Sequence, residues 1–472
     1  MRKKRTGEIF EDVLVTDIAA EGKAIAKIDN IVFFIKGAVP GDVVDIKTVR
    51  RQKNFREAVV ENFKKFSTER EKPLCEHFGI CGGCVWQMLP YKLQLKYKQQ
   101  QVKDALTHIA KVEIPELQTI VPSDNQYFYR NKLEFTFASQ RWLTEEEMNV
   151  PDPEKQLEGL GFHIPGRFDK VLDIKKCCLQ AEPSNAIRLE IKKFCLEHGF
   201  EFFNLRSQTG FMRNMLIRSS VNKELMVIIV FAYEDKEKRE MLLNHLIKTF
   251  PEITSLMYFI NPKLNCDYSD LEAKFYYGKD HIIEEMGGLK FKVQAKSFYQ
   301  TNSLQAFKLY SVAKDFAALT GKETVYDLYT GTGTIANFVA DKAAKVVGIE
   351  YIEEAIEDAK INSGLNQIEN TKFYAGDMKD VLTADFIEQN GKPDVIILDP
   401  PRAGVHPDVI KTILNAAPER IVYVSCNPAT QARDVQLLDE KYAVKKIQPV
   451  DMFPQTHHVE NVILLGKKIK LV

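Results

Sequence analysis

The chain has no apolar run near the length needed to cross a bilayer; the longest candidate is Met226 to Tyr233. It has no excess of either charge, since 65 Lys and Arg residues balance 65 Asp and Glu residues, although a neutral total still allows a local basic patch. No apolar segment follows the basic start, MRKKRTGEIFEDV, so we predict no signal peptide and a cytoplasmic protein without a membrane partner. The eight cysteines are then expected to be reduced thiols or metal ligands rather than disulfides.

The 472 residues suffice for about three domains, and the first is predicted at residues 1–66. Short β-rich runs there are separated by glycine and proline turns, a pattern typical of a small OB-like β-barrel. From Arg50 to Arg56, basic residues alternate with Asn54 and Phe55, which suits phosphate and base contacts, although a solvated hairpin has the same composition. The segment EGKAIAKIDNIVFFIKGAVPGDVV resembles a TRAM domain, and that resemblance implies an RNA-binding barrel.

Three cysteines, Cys75, Cys81 and Cys84, follow with the spacing C-x5-C-x2-C. Thiolates this close repel one another unless a cation neutralises them, and the intervening glycines let the backbone wrap around a metal. A fourth ligand must come from elsewhere, and the pair Cys177 and Cys178 is the obvious source. The spacing alone leaves both a zinc site and an iron–sulfur cluster open.

Residues 67–290 are predicted to form a central α+β domain that recognises the substrate. A helical pattern covers Tyr91 to Ile109, and strand patterns cover 133–137 and 224–233. The polar stretch from Thr144 to Leu157 is predicted to be a surface loop.

From Phe291 onward, strands alternate with helices, which predicts a doubly wound parallel α/β sheet for residues 291–472. The strand patterns lie at 324–329, 345–350, 371–375, 395–399 and 421–424, and helical patterns lie at 335–344 and 353–364. In such sheets, ligands bind at the carboxyl ends of the strands. Residues that follow these strands are therefore candidates for a functional site.

A glycine turn and two acids in this sheet predict an adenosine-containing cofactor. Gly331 and Gly333 follow the strand that ends at Tyr329, Glu350 ends the next strand, and Asp377 follows the third. The glycines allow close backbone approach, and the second acid can bind the ribose hydroxyls. Because the turn lacks the third glycine of a pyrophosphate cradle, S-adenosylmethionine fits better than a dinucleotide. Asp377 is placed to meet the adenine amine, although each acid has the simpler interpretation of a helix cap.

Cys426 follows the apolar run IVYV and precedes Asn427-Pro428, where the chain must turn. Beside a methyl donor, such a thiol suits a nucleophile that adds to C6 of uracil, because C5 alone is too weakly nucleophilic to take a methyl group. Glu460, in HHVENV before a terminal apolar strand, is the candidate base for the C5 proton. Each residue also has an ordinary structural interpretation, a core cysteine and an edge-strand glutamate.

Together these motifs resemble the TrmA/RumA family of RNA (uracil-5-)-methyltransferases, closest to the 23S rRNA uracil-C5 enzymes, over nearly the full chain. The matching stretches are SCNPAT, HHVENV, LDPPRAG, FYQTN, DLYTGTGT, GIEYIEEAIEDAKIN, YRNKLEF and the cysteine cluster with DIKKCC. The resemblance implies a Rossmann-like S-adenosylmethionine-dependent methyltransferase domain, preceded by a TRAM barrel and a central iron–sulfur domain. It also implies that the segment at about 91–122 packs with the catalytic domain.

The resemblance further implies the residues of the site. The donor would be bound by Gln300, Tyr329, Thr334, Glu350, Asp377 and Asp399, with Asp399 meeting the uracil or the methionine end of the donor. A [4Fe-4S] cluster would be held by Cys75, Cys81, Cys84 and Cys177, with Cys178 as the alternative fourth ligand. Cys426 would form the covalent bond to uridine C6, and Glu460 would remove the C5 proton.

The expected substrate is 23S rRNA, read as a loop with a flipped uridine, and the expected state is a monomer. A tRNA substrate is the alternative, but the tRNA branch of the family is typically shorter and lacks the TRAM-like domain and the cluster. A nicotinamide dehydrogenase gives Cys426 no role, and a 5-methylcytosine enzyme gives no reason for SCNP together with HHVEN. A non-catalytic iron–sulfur RNA-binding protein would not need both Cys426 and Glu460.

Overall fold

The computed structural model describes residues 7–149, 151 and 156–468. Residues 1–6 of the predicted basic start, residues 150 and 152–155 of the predicted polar loop, and residues 469–472 lie outside the described residues. Within the described ranges, the strands form three large sheets, of six, seven and seven strands, and one two-stranded hairpin. No helix in the described part of the chain is both long enough and apolar enough to cross a bilayer.

The N-terminal sheet alternates buried and exposed side chains along its strands. The strands are β1 (Ile9–Leu14), β2 (Asp17–Ile18), β3 (Ala24–Ile28), β4 (Ile31–Lys36), β5 (Val43–Arg51) and β6 (Phe55–Lys65), in the order β1-β5-β6-β4-β3-β2. β4 pairs with β6 in parallel, and the other neighbours pair antiparallel. Phe33, Ile35, Val44 and Ile46 fill the core because alternate residues of a strand face the same side.

Helix α1 (Tyr91–Ala105) and the π-helical turn Leu106–Ala110 occupy the predicted helix at 91–109. Val102 and Leu106 are fully buried, and they share one hydrophobic core with Tyr326 of the C-terminal sheet. The helix therefore packs on the C-terminal sheet although it lies far from it in the chain.

The central sheet has the order β13-β12-β11-β10-β7-β8-β9. Its strands are β7 (Lys132–Ala138), β8 (Gly159–Ile164), β9 (Arg167–Asp173), β10 (Met212–Ser219), β11 (Leu225–Phe231), β12 (Ser255–Ile260) and β13 (Lys274–Gly278). Helices α2 (Glu145–Met148), α3 (Ser184–Glu197) and α4 (Lys236–Thr249) accompany them. Phenylalanines and aliphatic side chains of β7, β10, β11, α3 and α4 form the core of this part.

A hairpin of β14 (His281–Met286) and β15 (Leu289–Gln294) and helix α5 (Ser303–Ala317) lead into the C-terminal sheet. Its strands are β16 (Thr324–Leu328), β17 (Lys345–Glu350), β18 (Thr371–Ala375), β19 (Val395–Leu398), β20 (Arg420–Ser425), β21 (Tyr442–Val450) and β22 (Glu460–Lys467). Its helices are α6 (Thr334–Val339), α7 (Glu353–Leu365), α8 (Met378–Val381), α9 (Ala384–Asn390), α10 (Pro407–Ala416) and α11 (Pro428–Leu438).

The strand order of this sheet, β18-β17-β16-β19-β20-β22-β21, confirms the predicted doubly wound arrangement. β16 to β20 are parallel, and β22 pairs antiparallel with both β20 and β21. The chain moves outward from β16 to β18 and then returns to β19 on the other side. Ligands of such sheets bind at this reversal, outside the carboxyl ends of the strands.

Two elements differ from the sequence expectation. The predicted loop at 144–157 contains helix α2, because Thr144 and Glu147 form a reciprocal capping box: the Glu147 amide donates to Thr144 Oγ1 (3.3 Å) and the Thr144 amide donates to Glu147 Oε2 (2.9 Å). The helix predicted at 335–344 ends at Val339 and continues as a 3-10 turn, Ala340–Lys342.

Candidate active site

Cys426 and Glu460 start from neighbouring backbone positions because β20 and β22 pair antiparallel. Ser425, the last residue of β20, pairs with Asn461, the second residue of β22. Cys426 follows Ser425, and Glu460 precedes Asn461. The structure therefore brings both predicted side chains to the same edge of the sheet, at the carboxyl ends of the parallel strands.

Side-chain hydrogen bonds hold the loop of Cys426 against the loop that follows β19. Asn427 caps α11 by accepting a hydrogen bond from the Ala429 amide (3.1 Å). Asn427 Nδ2 and Thr430 Oγ1 donate to the carbonyl of Arg402, at 3.1 and 3.2 Å. Arg402 is thereby part of the surroundings of Cys426.

Three acidic groups and one guanidinium act on one another at this edge. Burial, followed by the charges of Glu460 and Asp399, raises the pKa of the Cys426 thiol to about 11. Burial, followed by the charge of Asp399, raises the pKa of Glu460 to about 8, and burial raises the pKa of Asp399 to about 7. Arg402 lowers the pKa of both Cys426 and Glu460, so it stabilises their ionised forms.

The glycine turn after β16 has left-handed backbone at Tyr329 (φ 67°), Gly331 (φ 54°) and Gly333 (φ 74°). Glycine adopts this region without strain, but tyrosine does not, and such strain is concentrated at functional sites. The Gly331 amide donates to Glu350 Oε2 (3.1 Å), so the carboxylate at the end of β17 faces the turn. The two features thus lie side by side and form one wall of the candidate site, where sheets of this kind bind nucleosides.

Gln300 lies on the loop that precedes α5. Its side chain hydrogen bonds with the buried Tyr310 hydroxyl, on which the charges of Asp399 and Glu460 also act. The carbonyl of Gln300 accepts a hydrogen bond from Asn131 Nδ2 (2.9 Å), which ties this loop to the start of β7. Gln300 is therefore in the same neighbourhood as the two carboxyls.

Thr334 and Asp377 complete the set of residues that are predicted to bind the methyl donor. Thr334 Oγ1 lies 3.3 Å from Thr332 Oγ1 at the start of α6. Asp377 caps α8 by accepting from the Lys379 amide (3.2 Å), which is the simpler interpretation of this acid. Its charge also acts on Tyr329, so the cap lies beside the glycine turn.

Two residues of this edge, Asp327 and Arg402, were missed by sequence reasoning. Asp327 is fully buried; its Oδ2 accepts from Thr330 Oγ1 (2.5 Å), and the Ala336 amide also acts on the carboxylate, whereas its Oδ1 makes no hydrogen bond of ordinary geometry within the described residues. Burial raises the pKa of Asp327 to about 7. Asp327 lies in the motif DLYTGTGT and Arg402 in the motif LDPPRAG. The position of Asp327, an acid near the end of a predicted strand, could have identified it as a candidate site residue.

The carboxyl edge of the sheet fits a nucleoside-containing methyl donor that carries hydroxyl and ammonium groups. Asp327 Oδ1 is a buried acceptor without a hydrogen-bond donor, and such atoms normally find a partner. Beside Gly331 there is open space, since an added Cβ would have no neighbour within 4 Å. The hydroxyl and ammonium groups of S-adenosylmethionine are hydrogen-bond donors of the kind that Asp327 Oδ1 lacks in the described structure.

The four thiols expected at a cluster lie within range of one another's charges. Burial, followed by neighbouring thiols, raises the pKa of Cys81 to about 11 and that of Cys84 to about 12. Cys177 acts on both of these thiols, whereas the interactions of Cys178 are with Cys75 and Cys177. Cys177 thus interacts with Cys81 and Cys84, and both Cys177 and Cys178 interact with Cys75.

No group of three or more His, Cys, Asp and Glu side chains among the described residues is arranged so that it could hold a metal ion. Charge interactions reach farther than metal–ligand bonds, so the thiols are close together without forming a closed ligand set. Their two chain segments are nevertheless joined, because His77 Nε2 accepts a hydrogen bond from the Lys175 amide (2.9 Å). Four soft sulfur donors from two joined segments fit an iron–sulfur cluster in chemistry.

Two family models match the chain. A model of tRNA (uracil-5-)-methyltransferases matches residues 272–468, and a TRAM domain model matches residues 3–60. The C-terminal match contains Cys426, Glu460 and the whole C-terminal sheet, and the N-terminal match covers most of the first sheet.

Several relatives are similar over nearly their whole length. A protein named an uncharacterized RNA methyltransferase from Bacteroides thetaiotaomicron is 57% identical over 451 residues, covering 95% of this chain and 99% of its own. One from Chlorobaculum tepidum is 37% identical over 97% of this chain and 96% of its own. The crystal structure of a Pyrococcus abyssi tRNA (uracil-54, C5)-methyltransferase with S-adenosyl-L-homocysteine superposes with a TM-score of 0.75 at 27% identity, covering 97% of this chain and all of that one.

Proposed function

The chain belongs to the TrmA/RumA family of RNA (uracil-5-)-methyltransferases, and from this premise we propose that it methylates C5 of a specific uridine in RNA through a covalent adduct with Cys426. The pairing of β20 with β22 carries the proposal, because it starts a nucleophile and a base from adjacent positions of one sheet edge. S-adenosylmethionine is the methyl donor of the family.

In the proposed mechanism, the Cys426 thiolate adds to C6 of the flipped uracil and makes C5 nucleophilic. Arg402 supports this step because it favours the thiolate over the thiol. When bound, S-adenosylmethionine supplies an electrophilic methyl group for C5. Glu460 then accepts the C5 proton, and the bond between sulfur and C6 breaks. Only the ionised carboxylate can accept this proton. Burial raises the pKa of Glu460 to about 8, so the ionised form is the minor form at neutral pH but a stronger base than an exposed carboxylate.

We assign donor binding to Gln300, Tyr329, Thr334, Glu350, Asp377 and Asp399, and we add Asp327. The partnerless Oδ1 of Asp327 supports a contact with a hydrogen-bond donor of the ligand. The link from Gly331 to Glu350 supports ribose recognition at this wall. The cap that Asp377 makes to α8 does not exclude an adenine contact, because a carboxylate has further lone pairs.

We further propose that Cys75, Cys81, Cys84 and Cys177 hold a [4Fe-4S] cluster. The mutual charge interactions of the thiols and the bond from Lys175 to His77 support it. Bound iron would neutralise four thiolates and join two segments of the chain. The division at residues 66/67 and 290/291 and the monomeric state also remain proposals.

For the RNA we propose 23S rRNA, with tRNA as a second candidate. The TRAM match and the thiol set support the ribosomal branch. The superposition on the Pyrococcus abyssi tRNA enzyme favours tRNA, because that enzyme shares nearly the full length of this chain. The length of the chain therefore does not decide whether the substrate is rRNA or tRNA. Mass mapping of methyluridine in rRNA and tRNA from a deletion strain decides between them.

The mechanism is tested with two variants that should fail at different steps. Cys426→Ala should bind RNA and donor yet neither methylate nor crosslink. Glu460→Gln should form the adduct and then stall, so a denaturation-resistant protein–RNA species should accumulate with label from the donor methyl. A variant that combines Cys426→Ala with Glu460→Gln should form no protein–RNA adduct. Normal turnover of Glu460→Gln, or an adduct without Cys426, contradicts the proposed roles.

A further inference from the structure

The loop that joins β21 to β22, residues 451–459, leads directly into the proposed base. Val450 at its start pairs with Glu460 at its end. Five consecutive residues of this loop, 451–455, each make a hydrogen bond to a side chain from another part of the chain. A nine-residue connection would otherwise be mobile; this one is fixed along its first half.

Helix α1 anchors the beginning of the β21–β22 loop. Lys98 Nζ donates to Asp451 Oδ1 (2.6 Å) and to the carbonyl of Phe453 (3.0 Å), and Tyr91 Oη donates to Asp451 Oδ2 (2.8 Å). Lys98 and Asp451 are both fully buried. The ion pair is thus shielded from solvent, and its two charges satisfy each other inside the protein.

Two further segments hold the middle of the loop. Asn302 Nδ2 donates to the carbonyl of Met452 (3.0 Å), and Tyr129 Oη donates to the carbonyl of Pro454 (3.0 Å). Both donors are buried. They belong to the segments before α5 and before β7, so three separate parts of the chain converge on these five residues.

Gln455 has a strained backbone and four hydrogen bonds to other parts of the chain. Its φ of 68° lies in the left-handed region, which is unfavourable for a non-glycine residue. Its carbonyl accepts from the amides of Val85 (2.9 Å) and Trp86 (3.1 Å). Its amide donates to Gln94 Oε1 (2.9 Å), and its Oε1 accepts from Gln94 Nε2 (3.0 Å). Gln94 thus binds both the main chain and the side chain of Gln455.

The carboxylate of Glu460 depends on this backbone for its position. Within the described ranges, no group donates a hydrogen bond to the Glu460 carboxylate, although the residue is only 5% exposed. Its direction is therefore set by the start of β22 and by the loop that leads into it. Cys426 has additional anchors outside this loop, through Asn427 and the carbonyl of Arg402.

We propose that Gln94, through its paired hydrogen bonds with Gln455, is a positioning residue for the proton-abstraction step. The inference rests on the proposed role of Glu460. Gln94 contacts no reacting group; it holds the strained turn five residues before the base, and its Nε2 also donates to the carbonyls of Trp86 (3.1 Å) and Leu89 (2.8 Å) at the entry to its own helix. Its loss should therefore displace Glu460 and leave the addition of Cys426 to uracil intact.

The test replaces Gln94 with methionine, which has a similar length but can neither donate nor accept these hydrogen bonds. A displaced base slows proton transfer, so turnover should fall by about tenfold to a hundredfold. The labelled RNA adduct should accumulate as in Glu460→Gln, because addition and methyl transfer precede the slowed step. The KM for S-adenosylmethionine should not change. Gln100→Met is the matched control: Gln100 lies on the same helix, is exposed and bonds only to Asp104 in the described structure.

Tyr129→Phe provides a milder second variant, since it removes only the hydroxyl that binds the carbonyl of Pro454. It should shift the balance from product to adduct in the same direction by a few-fold, and it keeps the test decisive if Gln94→Met does not fold. Unchanged turnover in both variants overturns the inference, as does a parallel fall of turnover and adduct. Glu460→Gln, measured in the same experiment, separates the proposed role of Glu460 as the base from the positioning role of Gln94. If the adduct accumulates in Glu460→Gln but not in Gln94→Met or Tyr129→Phe, only the positioning role is overturned. Absence of adduct in Glu460→Gln overturns the proposed base and the inference with it.

Discussion

The buried carboxyl of Glu460 should make the protein less stable as the pH rises, and Glu460→Gln should remove this dependence. The folded state holds the Glu460 proton with a pKa of about 8, whereas the ordinary pKa of a glutamate side chain is 4.5. A pKa raised on folding stabilises the folded state fully below the unfolded pKa, and this contribution is lost as the pH rises through the folded pKa. The window for Glu460 therefore extends from about pH 4.5 to about pH 8.

The size of the effect follows from the shift. One pKa unit corresponds to about 1.4 kcal/mol, so between about pH 5 and about pH 7.5 the wild-type protein should lose about 3 kcal/mol relative to Glu460→Gln. The causes are burial first and the charge of Asp399 second, with Arg402 acting in the opposite direction. At neutral pH the variant should be the more stable and the less active protein, as expected where a catalytic group is held in an unfavourable environment.

Urea unfolding of both proteins across this pH range measures the difference, with a fluorescence or circular dichroism signal that reports on the C-terminal sheet. Glu419→Gln is the matched control, because Glu419 lies near the other end of the paired strands with a side chain 64% exposed, and its substitution should leave the pH profile unchanged. Parallel pH profiles for the wild type and Glu460→Gln would show that the Glu460 carboxyl is not held protonated by burial. The reasoning on its role as a strong base would then fail.

Three further predictions concern the cluster, the RNA and the nucleophile. Protein purified without oxygen should carry about four irons, and Cys177→Ser should lose them while Cys178→Ser keeps them; equal loss, or zinc in place of iron, contradicts the ligand set. Removal of residues 1–66 should weaken RNA binding and reduce its salt dependence while donor binding measured by calorimetry stays intact; unchanged RNA affinity contradicts the role of that domain. Arg402→Gln should raise the pKa of Cys426 and move adduct formation to higher pH, and Arg402→Lys should restore it, whereas an unshifted pH profile excludes Arg402 as the counter-charge.

Strand periodicity was sufficient to predict the five parallel strands of the C-terminal sheet and the edge at which the candidate site lies. The apolar runs before Tyr329 and Cys426 end within a residue or two of the observed strands β16 and β20. Parallel strands buried on both faces are continuous apolar runs, so this signal is strong in a single sequence. The short helix α2 was also readable, since Thr144 and Glu147 have capping-box spacing, but the surrounding polar residues favoured a loop.

The long-range contacts of the site could not be predicted in the same way. Gln94 and Gln455 are separated by 361 positions, and Lys98 and Asp451 by 353. A glutamine or a lysine on a helix of mixed composition is most often exposed. Lys98, unlike the exposed Lys96, has helical spacing to Leu95 and Val102, but this spacing does not reveal a buried partner. Their role depends on which loop the folded chain brings to that helix face, and hydrophobic periodicity does not encode this.

Helix α1 explains how an unfavourable sheet edge is kept in place. Glu460 and Asp327 are buried, Asp399 is half-buried, and all three have raised pKa values, so placing their charged forms here works against folding at neutral pH. Part of the compensation comes from outside the sheet, through the hydrogen bonds of Lys98 and Gln94 on α1 and through the apolar face that α1 buries on the sheet. Because one helix supplies both the apolar contacts and the polar anchors, weakening it should release the base-bearing loop before the core of the sheet. The catalytic unit therefore consists, in energetic terms, of the C-terminal sheet together with a helix that precedes the whole central sheet in the chain.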